Sequence, residues 1–412
     1  MINLFANIIY FIIKPVISAV LIKKNYPEDA IIAKYAQSPS DIIFTKDDDV
    51  IMFHAVSVGE INAIENLVKK TREKFPRKKI LVTTGTHTGQ DLAKKKFADI
   101  ADFITYFPFD FPIVINKFLD KFNPKKVFIA ETEIWPFFAM ICKKRGINIS
   151  IINGRISDRT FGSYKTFKYL FKYFLSFYTG IYTQSDDDNN KFLQLGSNPL
   201  TTKKMNNLKF DVSKPIVSYN IDKASSKILL AGSTHKGEDE IVLFTYRKLK
   251  ENTPGLKLII APRHLTRVEE VRALVESFGF IYRLKSEGIH SLKDIDVLIL
   301  DTLGELGQMY SFADIAFIGG SFNKTGGHNP LEALVFNKPV ISGPSVHNFK
   351  DIYDIIKKAH AGFVVENKNE FYEIASELLQ NKNFYDSTVT NCTQVFNKQQ
   401  GALEFVLDLI KN

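Results

Sequence analysis

Val50-Ile-Met-Phe-His-Ala-Val-Ser-Val-Gly-Glu60 holds the key to the fold. A short apolar run, residues 50–55, leads at once into a small-residue turn, and Glu60 stands at the start of a helical pattern. The same unit recurs along the chain. Further apolar runs occupy residues 80–84, 103–107, 127–130, 149–152 and 181–183, then 228–231, 258–261, 297–300, 315–318 and 340–341. Short apolar runs separated by helical stretches predict parallel sheets covered on both faces. Between the two series, residues 213–226 carry Pro215 and polar side chains, which predicts a linker joining two doubly wound α/β domains. Nearly every run ends in a polar or glycine cluster, such as Glu131-Thr-Glu133, Asn153-Gly-Arg155, Pro262-Arg-His264 and Gly319-Gly-Ser321. Open α/β sheets bind ligands outside the carboxyl ends of their strands, so both series are expected to aim their special residues at a shared crevice.

Composition narrows the function. The 412 residues carry 54 Lys and Arg against 45 Asp and Glu, a net charge of +9, with 45% hydrophobic and 24% charged residues. Disordered and fibrous classes are excluded. Only ten of the basic residues are Arg, so a retained Arg points to a need for a planar, two-pronged donor. No basic stripe with interleaved aromatics occurs, which argues against nucleic acid and leaves anionic substrates or a membrane surface. Cys142 and Cys392 are far apart and form no ligand pattern, as expected of a reducing compartment without disulfides.

Residues 4–22 form an apolar stretch broken chiefly by Asn7, Lys14, Pro15 and Ser18. As a helix it would be about 28 Å long, near the thickness of a bilayer core. Asn7, Lys14 and Ser18 share one helical face, a stripe suited to an interfacial helix or to a tilted span with Lys14 snorkelling. Lys23 and Lys24 follow directly, which favours a cytoplasmic remainder. The stretch reads as a membrane-associated helix, spanning or interfacial.

Several clusters carry chemistry. Gly319–Ala333 (GGSFNKTGGHNPLEA) places four glycines ahead of Asn329, Pro330 and Glu332, read as N-cap, first helical residue and first-turn carboxylate. A glycine-rich loop feeding a helix N-terminus suits a nucleotide, with Glu332 on ribose hydroxyls. Arg263, after a strand, reads as a phosphate clamp. Asp301-Thr-Leu-Gly304-Glu305-Leu306 opens a helix, with Asp301 as an N-cap and Gly304 and Glu305 free to face a base or sugar. Glu60 is either a favourable first-turn carboxylate or a base, its pKa lowered by the helix field unless a dry site offsets this. Glu131 and Glu133 flank Thr132 just before Trp135, and close carboxylates of this kind stabilise cationic character or tune a base. Asn153-Gly-Arg155 with Arg159 suggests anion recognition. P-loop, Gly-x-Gly-x-x-Gly and His-Glu-x-x-His patterns are absent, and the eight histidines form no recognisable ligand set, so no metal is expected.

Taken together, HAVSVGE, TTGTHTG, ETEIWP, NGRIS, NNLKFD, AGSTHKGE, APRH, DTLGEL and GGSFNKTGGHNPLEA occur in an order that resembles the 3-deoxy-D-manno-octulosonic acid (Kdo) transferases of lipopolysaccharide biosynthesis. The resemblance runs over nearly the whole chain. It implies an inverting GT-B glycosyltransferase, with two Rossmann-like domains facing a cleft, on the cytoplasmic face of a Gram-negative inner membrane. Its donor would be CMP-Kdo and its acceptor a lipid A precursor, lipid IVA, with no cofactor. Carried over, Glu60 is the general base, and Glu131 and Lys209 stabilise the transition state. CMP would be held by Pro262 and Arg263, by Gly304, Glu305 and Leu306, and by Asn329, Pro330, Leu331 and Glu332. The implied layout is a membrane-associated helix (1–25), an acceptor domain (26–212), a linker (213–226), a CMP-sugar domain (227–392) and a C-terminal helix (393–412) packing back toward the first domain. Two positions depart from the family. Asn206 replaces a usual Gly and is among the residues that tolerate positive φ, and Phe137 stands where Asn is frequent. The alternatives are another sugar-nucleotide enzyme, a UDP-sugar transferase or epimerase, and a membrane-bound nucleotide-binding regulator without catalysis. The joint presence of Glu60, Glu131, Lys209 and Arg263 speaks against the regulator.

Overall fold

Each apolar run of the sequence forms a parallel strand. The computed structural model describes residues 2–24, 26–37, 44–218, 221–223 and 225–412; positions 219, 220 and 224 of the expected linker lie outside them. The chain divides into two compact units, residues 1–211 with 399–412 and residues 212–398. The first holds β1 (Val50–Ala55), β2 (Lys79–Thr84), β3 (Phe103–Tyr106), β4 (Lys126–Ala130), β5 (Asn148–Gly154), β6 (Gly180–Thr183) and β7 (Thr202–Lys204). The second holds β8 (Ile228–Thr234), β9 (Lys257–Pro262), β10 (Tyr282–Leu284), β11 (Val297–Ile299), β12 (Ile315–Ile318), β13 (Val340–Ser342) and β14 (Gly362–Val364).

The first sheet runs β3-β2-β1-β4-β5-β6-β7, a doubly wound order. Its register is set by pairs such as Ile51↔Ile80 and Met52↔Val127. Strand periodicity sorts the core into two faces. Val50 and Met52 pack with Ile115, Phe118, Phe138 and Leu175, while Ile51, Phe53 and Ala55 pack with Ile61, Ile64, Val406 and Ile410. The second sheet runs β10-β11-β9-β8-β12-β13-β14, with Leu229, Ile260, Val297 and Phe317 in its core.

The C-terminus departs from the expected single helix. Two helices, Lys382–Gln399 and Ala402–Lys411, are separated at Gly401, whose φ of 100° no α-helix accommodates. Asp211 caps the second helix, accepting N–H bonds from Gly401 (2.8 Å) and Leu403 (2.6 Å). Lys126 Nζ closes its other end on the carbonyls of Leu409 and Ile410.

The N-terminal helix, Ile2–Lys23, corrects the reading of its polar stripe. Those residues face the protein: Asn7 Oδ1 accepts from Ile113 N–H at 3.0 Å, Ser18 Oγ bonds Tyr35 Oη at 3.1 Å, and Lys14 Nζ lies 4.9 Å from the Tyr35 ring centre. The outward side is apolar instead, with Phe11, Ile12, Val16, Val20 and Ile22 exposed and Lys23 and Lys24 at its end. Among the described residues no helix is long and apolar enough to cross a membrane.

Candidate active site

In the first unit β1 stops at Ala55, and Ser57 caps the Val58–Lys74 helix. Glu60, three residues past the cap, folds back over the turn. Its Oε2 accepts from Val56 N–H at 2.7 Å and its Oε1 from the Ser57 hydroxyl at 2.9 Å. The side chain is not open to the surface, being only 8% exposed. Burial pushes its pKa up to about 7, against the lowering by the Val56 N–H and Ser57 hydroxyl, and the negative charges of Glu131 and Glu133 push the same way as burial. The dry site therefore outweighs the helix field.

Glu131 sits one residue past β4 with φ 57°, a left-handed conformation unusual for a residue with a side chain, and its N–H is held by the Ile152 carbonyl at 2.9 Å. Arg155 Nε lies 3.5 Å from its carboxylate, so this arginine is engaged by Glu131. Glu133 has a raised pKa, from burial and from Glu131. Lys209 lies in the 3₁₀ turn Leu208–Phe210, which packs against the Val58–Lys74 helix. That turn is fastened by Asn207, whose Oδ1 accepts from Lys209 N–H at 3.0 Å, and by Asn153, whose Oδ1 accepts from Leu208 N–H at 3.0 Å. Asn206 adopts φ 70°, the glycine-like conformation the loop demands. The structure thus groups Glu60 with Glu131 and Glu133, and builds the Lys209 turn on the helix that Glu60 opens.

In the second unit the expected nucleotide residues lie at the end of β9 and in the segments that follow β11 and β12. Arg263 is exposed just past β9, and among the described residues no carboxylate lies within ion-pair distance of it. Its charge acts on Glu332, lowering a pKa that burial otherwise raises. Arg267, by contrast, is committed to the buried Asp239. Gly304 has φ 82°; Glu305 bonds the Thr302 hydroxyl and lies 4.0 Å from Lys285 Nζ. Leu306 reaches Gly232, where an added Cβ would meet Leu306 Cδ1 at 3.2 Å. Asp301 is not an N-cap: it accepts from Ser286 N–H at 2.9 Å and from the Ser286 hydroxyl.

The glycine-rich loop also differs from expectation. Asn329 Oδ1 accepts from Leu331 N–H at 3.1 Å, but the helix beyond is only Leu331–Leu334, with Pro330 at its cap position. Asn337, at φ 59°, ends it two residues before Pro339. So short a helix has little dipole to offer an anion.

The sequence assigned no role to one residue of this unit, Glu238. Glu238 is buried and accepts four backbone N–H bonds, from His235 (2.9 Å), Gly320 (2.6 Å), Ser321 (2.8 Å) and Phe322 (2.9 Å), so it organises the Gly319–Phe322 turn. The available signal was its place three residues after His235, which repeats the spacing of Ser57 and Glu60. His235 shares a 2.8 Å Nε2–Nε2 hydrogen bond with His328, whose pKa falls to about 4 through burial and neighbouring positive charge.

A family model described as 3-deoxy-D-manno-octulosonic-acid transferase matches residues 30–212. A 3-deoxy-D-manno-octulosonic acid transferase of Haemophilus influenzae is 34% identical, over 88% of this chain and 86% of its own. The chain belongs to the Kdo transferase family. A bifunctional glycosyltransferase/methyltransferase of Fusobacterium nucleatum is 36% identical over 87% of this chain, which spans 56% of that longer protein. Among solved structures, the UDP-GlcNAc 2-epimerase of Neisseria meningitidis covers 88% of this chain and all of its own with TM-score 0.54 at 14% identity, a likeness of fold. The chain is therefore a glycosyltransferase of two Rossmann-like doubly wound units in the GT-B class, and its family function is Kdo transfer in lipopolysaccharide biosynthesis. Membership of this family sets aside the UDP-sugar enzymes and the non-catalytic regulator.

Proposed function

We propose that this Kdo transferase moves Kdo from CMP-Kdo onto a hydroxyl of lipid IVA, a phosphorylated and acylated disaccharide, at the cytoplasmic face of the inner membrane. The observation that carries the mechanism is Glu60: a buried carboxyl with a pKa near 7, beside two further carboxylates at the carboxyl end of β1 and β4. A general base works best with a pKa near the operating pH. Glu60 takes the proton of the acceptor hydroxyl as its oxygen bonds the anomeric carbon of Kdo, and the bond from that carbon to the phosphate breaks on the opposite face. CMP leaves as a stable anion, its charge met by Arg263, so a dedicated acid is unnecessary. Glu131 stabilises the positive character on the sugar carbon, and Lys209 serves an anionic group. Pro262, Gly304, Glu305, Leu306, Asn329, Pro330, Leu331 and Glu332 hold the nucleotide.

The base must be ionised to act. The transfer rate at subsaturating acceptor is therefore expected to rise with pH and level off above about 7, in step with Glu60. A profile flat from about pH 5 to 9 would argue against Glu60 as the base.

The acceptor lies in a membrane surface, and the apolar outward face of the Ile2–Lys23 helix with its terminal lysines supports docking there. Deleting residues 1–24 should leave CMP binding intact and raise the apparent KM for vesicle-embedded acceptor by about tenfold or more. Unchanged kinetics on vesicles would count against the helix as an anchor.

A further inference from the structure

The N-terminal helix is not the sole apolar surface of the first unit. The segment 160–177 (TFGSYKTFKYLFKYFLSF) contains three lysines among eight aromatic residues and no acidic residue, which corrects the expectation that the chain holds no basic stripe with interleaved aromatics. It covers the end of the Asp158–Thr166 helix and all of the Lys168–Leu175 helix. On the latter, Leu175 is buried and Phe171 stacks on Tyr164 at 3.9 Å, so one side is committed to the protein. Tyr169, Leu170 and Tyr173 fall on the opposite side by helical spacing, with Phe167 just before them. All four are exposed, Tyr169 at 90%. Lys165, Lys168 and Lys172 are exposed alongside them, and no ion pair involves these three among the described residues. An ordinary solvated helix face has the reverse character.

The placement adds to the pattern. The N-terminal helix packs on the Pro112–Phe122 helix, that helix on Pro136–Lys144, and that in turn on Lys168–Leu175. Both apolar surfaces thus belong to one helical layer on one face of the first sheet. The Asp158–Thr166 helix starts just beyond the carboxyl end of β5, near Glu131 and Arg155.

We propose that Phe167, Tyr169, Leu170 and Tyr173, with Lys165, Lys168 and Lys172, form a second membrane-docking surface that binds an anionic bilayer. Aromatic rings suit the headgroup boundary, where an apolar body and a polar tip are both satisfied. Lysines interleaved with them are attracted to a negatively charged surface and fall silent on a neutral one. The charge pattern thus selects an anionic bilayer over a second copy of this basic chain. A second contact beside the first would hold the unit at a defined tilt, where one helix alone allows it to swivel. The proposal deepens the reading of a membrane-bound acceptor, and its test needs neither acceptor nor donor, so the two can fail separately.

The test is co-sedimentation of the full-length protein with vesicles of phosphatidylcholine containing about one-third phosphatidylglycerol, beside vesicles of phosphatidylcholine alone. Tyr169→Ser/Tyr173→Ser is expected to lower partitioning onto the anionic vesicles by about tenfold, and Tyr169→Trp/Tyr173→Trp to restore it. Lys165→Gln/Lys168→Gln/Lys172→Gln should weaken anionic binding by a similar factor and leave the weak binding to neutral vesicles unchanged. Circular dichroism and CMP binding verify the fold of each variant. If both the Ser and Gln variants bind anionic vesicles within twofold of the wild type, the proposal is wrong. It is equally overturned if sedimentation equilibrium shows a dimer that the Tyr variants dissociate while vesicle binding persists.

Discussion

Glu60→Gln is expected to lower Kdo transfer by roughly 10²–10⁴ while CMP binding persists. Gln keeps a carbonyl oxygen for Val56 N–H and fills the same space, but it has no basic oxygen to take a proton. The same substitution carries a signature in stability that separates lost chemistry from lost structure. The folded-state pKa of Glu60, about 7, lies above its ordinary value of 4.5, so the neutral form is favoured in the folded chain. That contribution is fully present below pH 4.5 and is lost as pH rises through about 7. The interval corresponds to roughly 3 kcal/mol at most. Gln never ionises, so the variant should be at least as stable as the wild type above about pH 8, and lose any advantage near pH 5. Thermal midpoints across that range check this. An inactive variant that is also less stable at high pH would point to a structural role for Glu60 instead.

Glu238→Ala is expected to destabilise the second unit by about 3–5 kcal/mol. One buried carboxylate serves four N–H groups there, and its removal leaves those of His235, Gly320, Ser321 and Phe322 without an acceptor. Each buried donor left unmatched costs about 1–3 kcal/mol, less whatever entering water restores. Hydrogen exchange at the Gly320, Ser321 and Phe322 amides should accelerate by at least about a hundredfold, and on the proposed reading CMP affinity should fall, because the loop assigned to the nucleotide loses its brace. Protection within threefold of the wild type would mean that the glycine loop holds itself.

Comparing these two carboxylates shows where the sequence stops being informative. Ser57 and Glu60 have the same spacing as His235 and Glu238, each pair at a strand-to-helix turn. What differs is the surroundings: Glu60 has two hydrogen-bond partners and two negative neighbours, Glu238 four N–H donors. The neighbours that set the two apart, Glu131 and Glu133 beside Glu60 and the Gly320, Ser321 and Phe322 amides on Glu238, come from residues far away in the chain, so spacing cannot reveal them. The strands were legible wherever both faces are buried, because such runs are continuously apolar. The three that left no signal, Thr202–Lys204, Tyr282–Leu284 and Gly362–Val364, are short edge strands with one neighbour each. The polar stripe of the first helix was legible as a stripe, but whether it faces lipid or protein depends on Ile113 and Tyr35, which periodicity cannot see. Asn206 was the opposite case: its tolerance of positive φ is intrinsic, and the structure uses it.

The most direct test offers purified full-length protein CMP-Kdo and UDP-GlcNAc together with lipid IVA, then weighs the lipid and counts the free nucleotide. Lipid heavier by whole Kdo residues, with one CMP released for each and UDP-GlcNAc untouched, is the predicted result. Consumption of UDP-GlcNAc while CMP-Kdo and the lipid stay intact would contradict it.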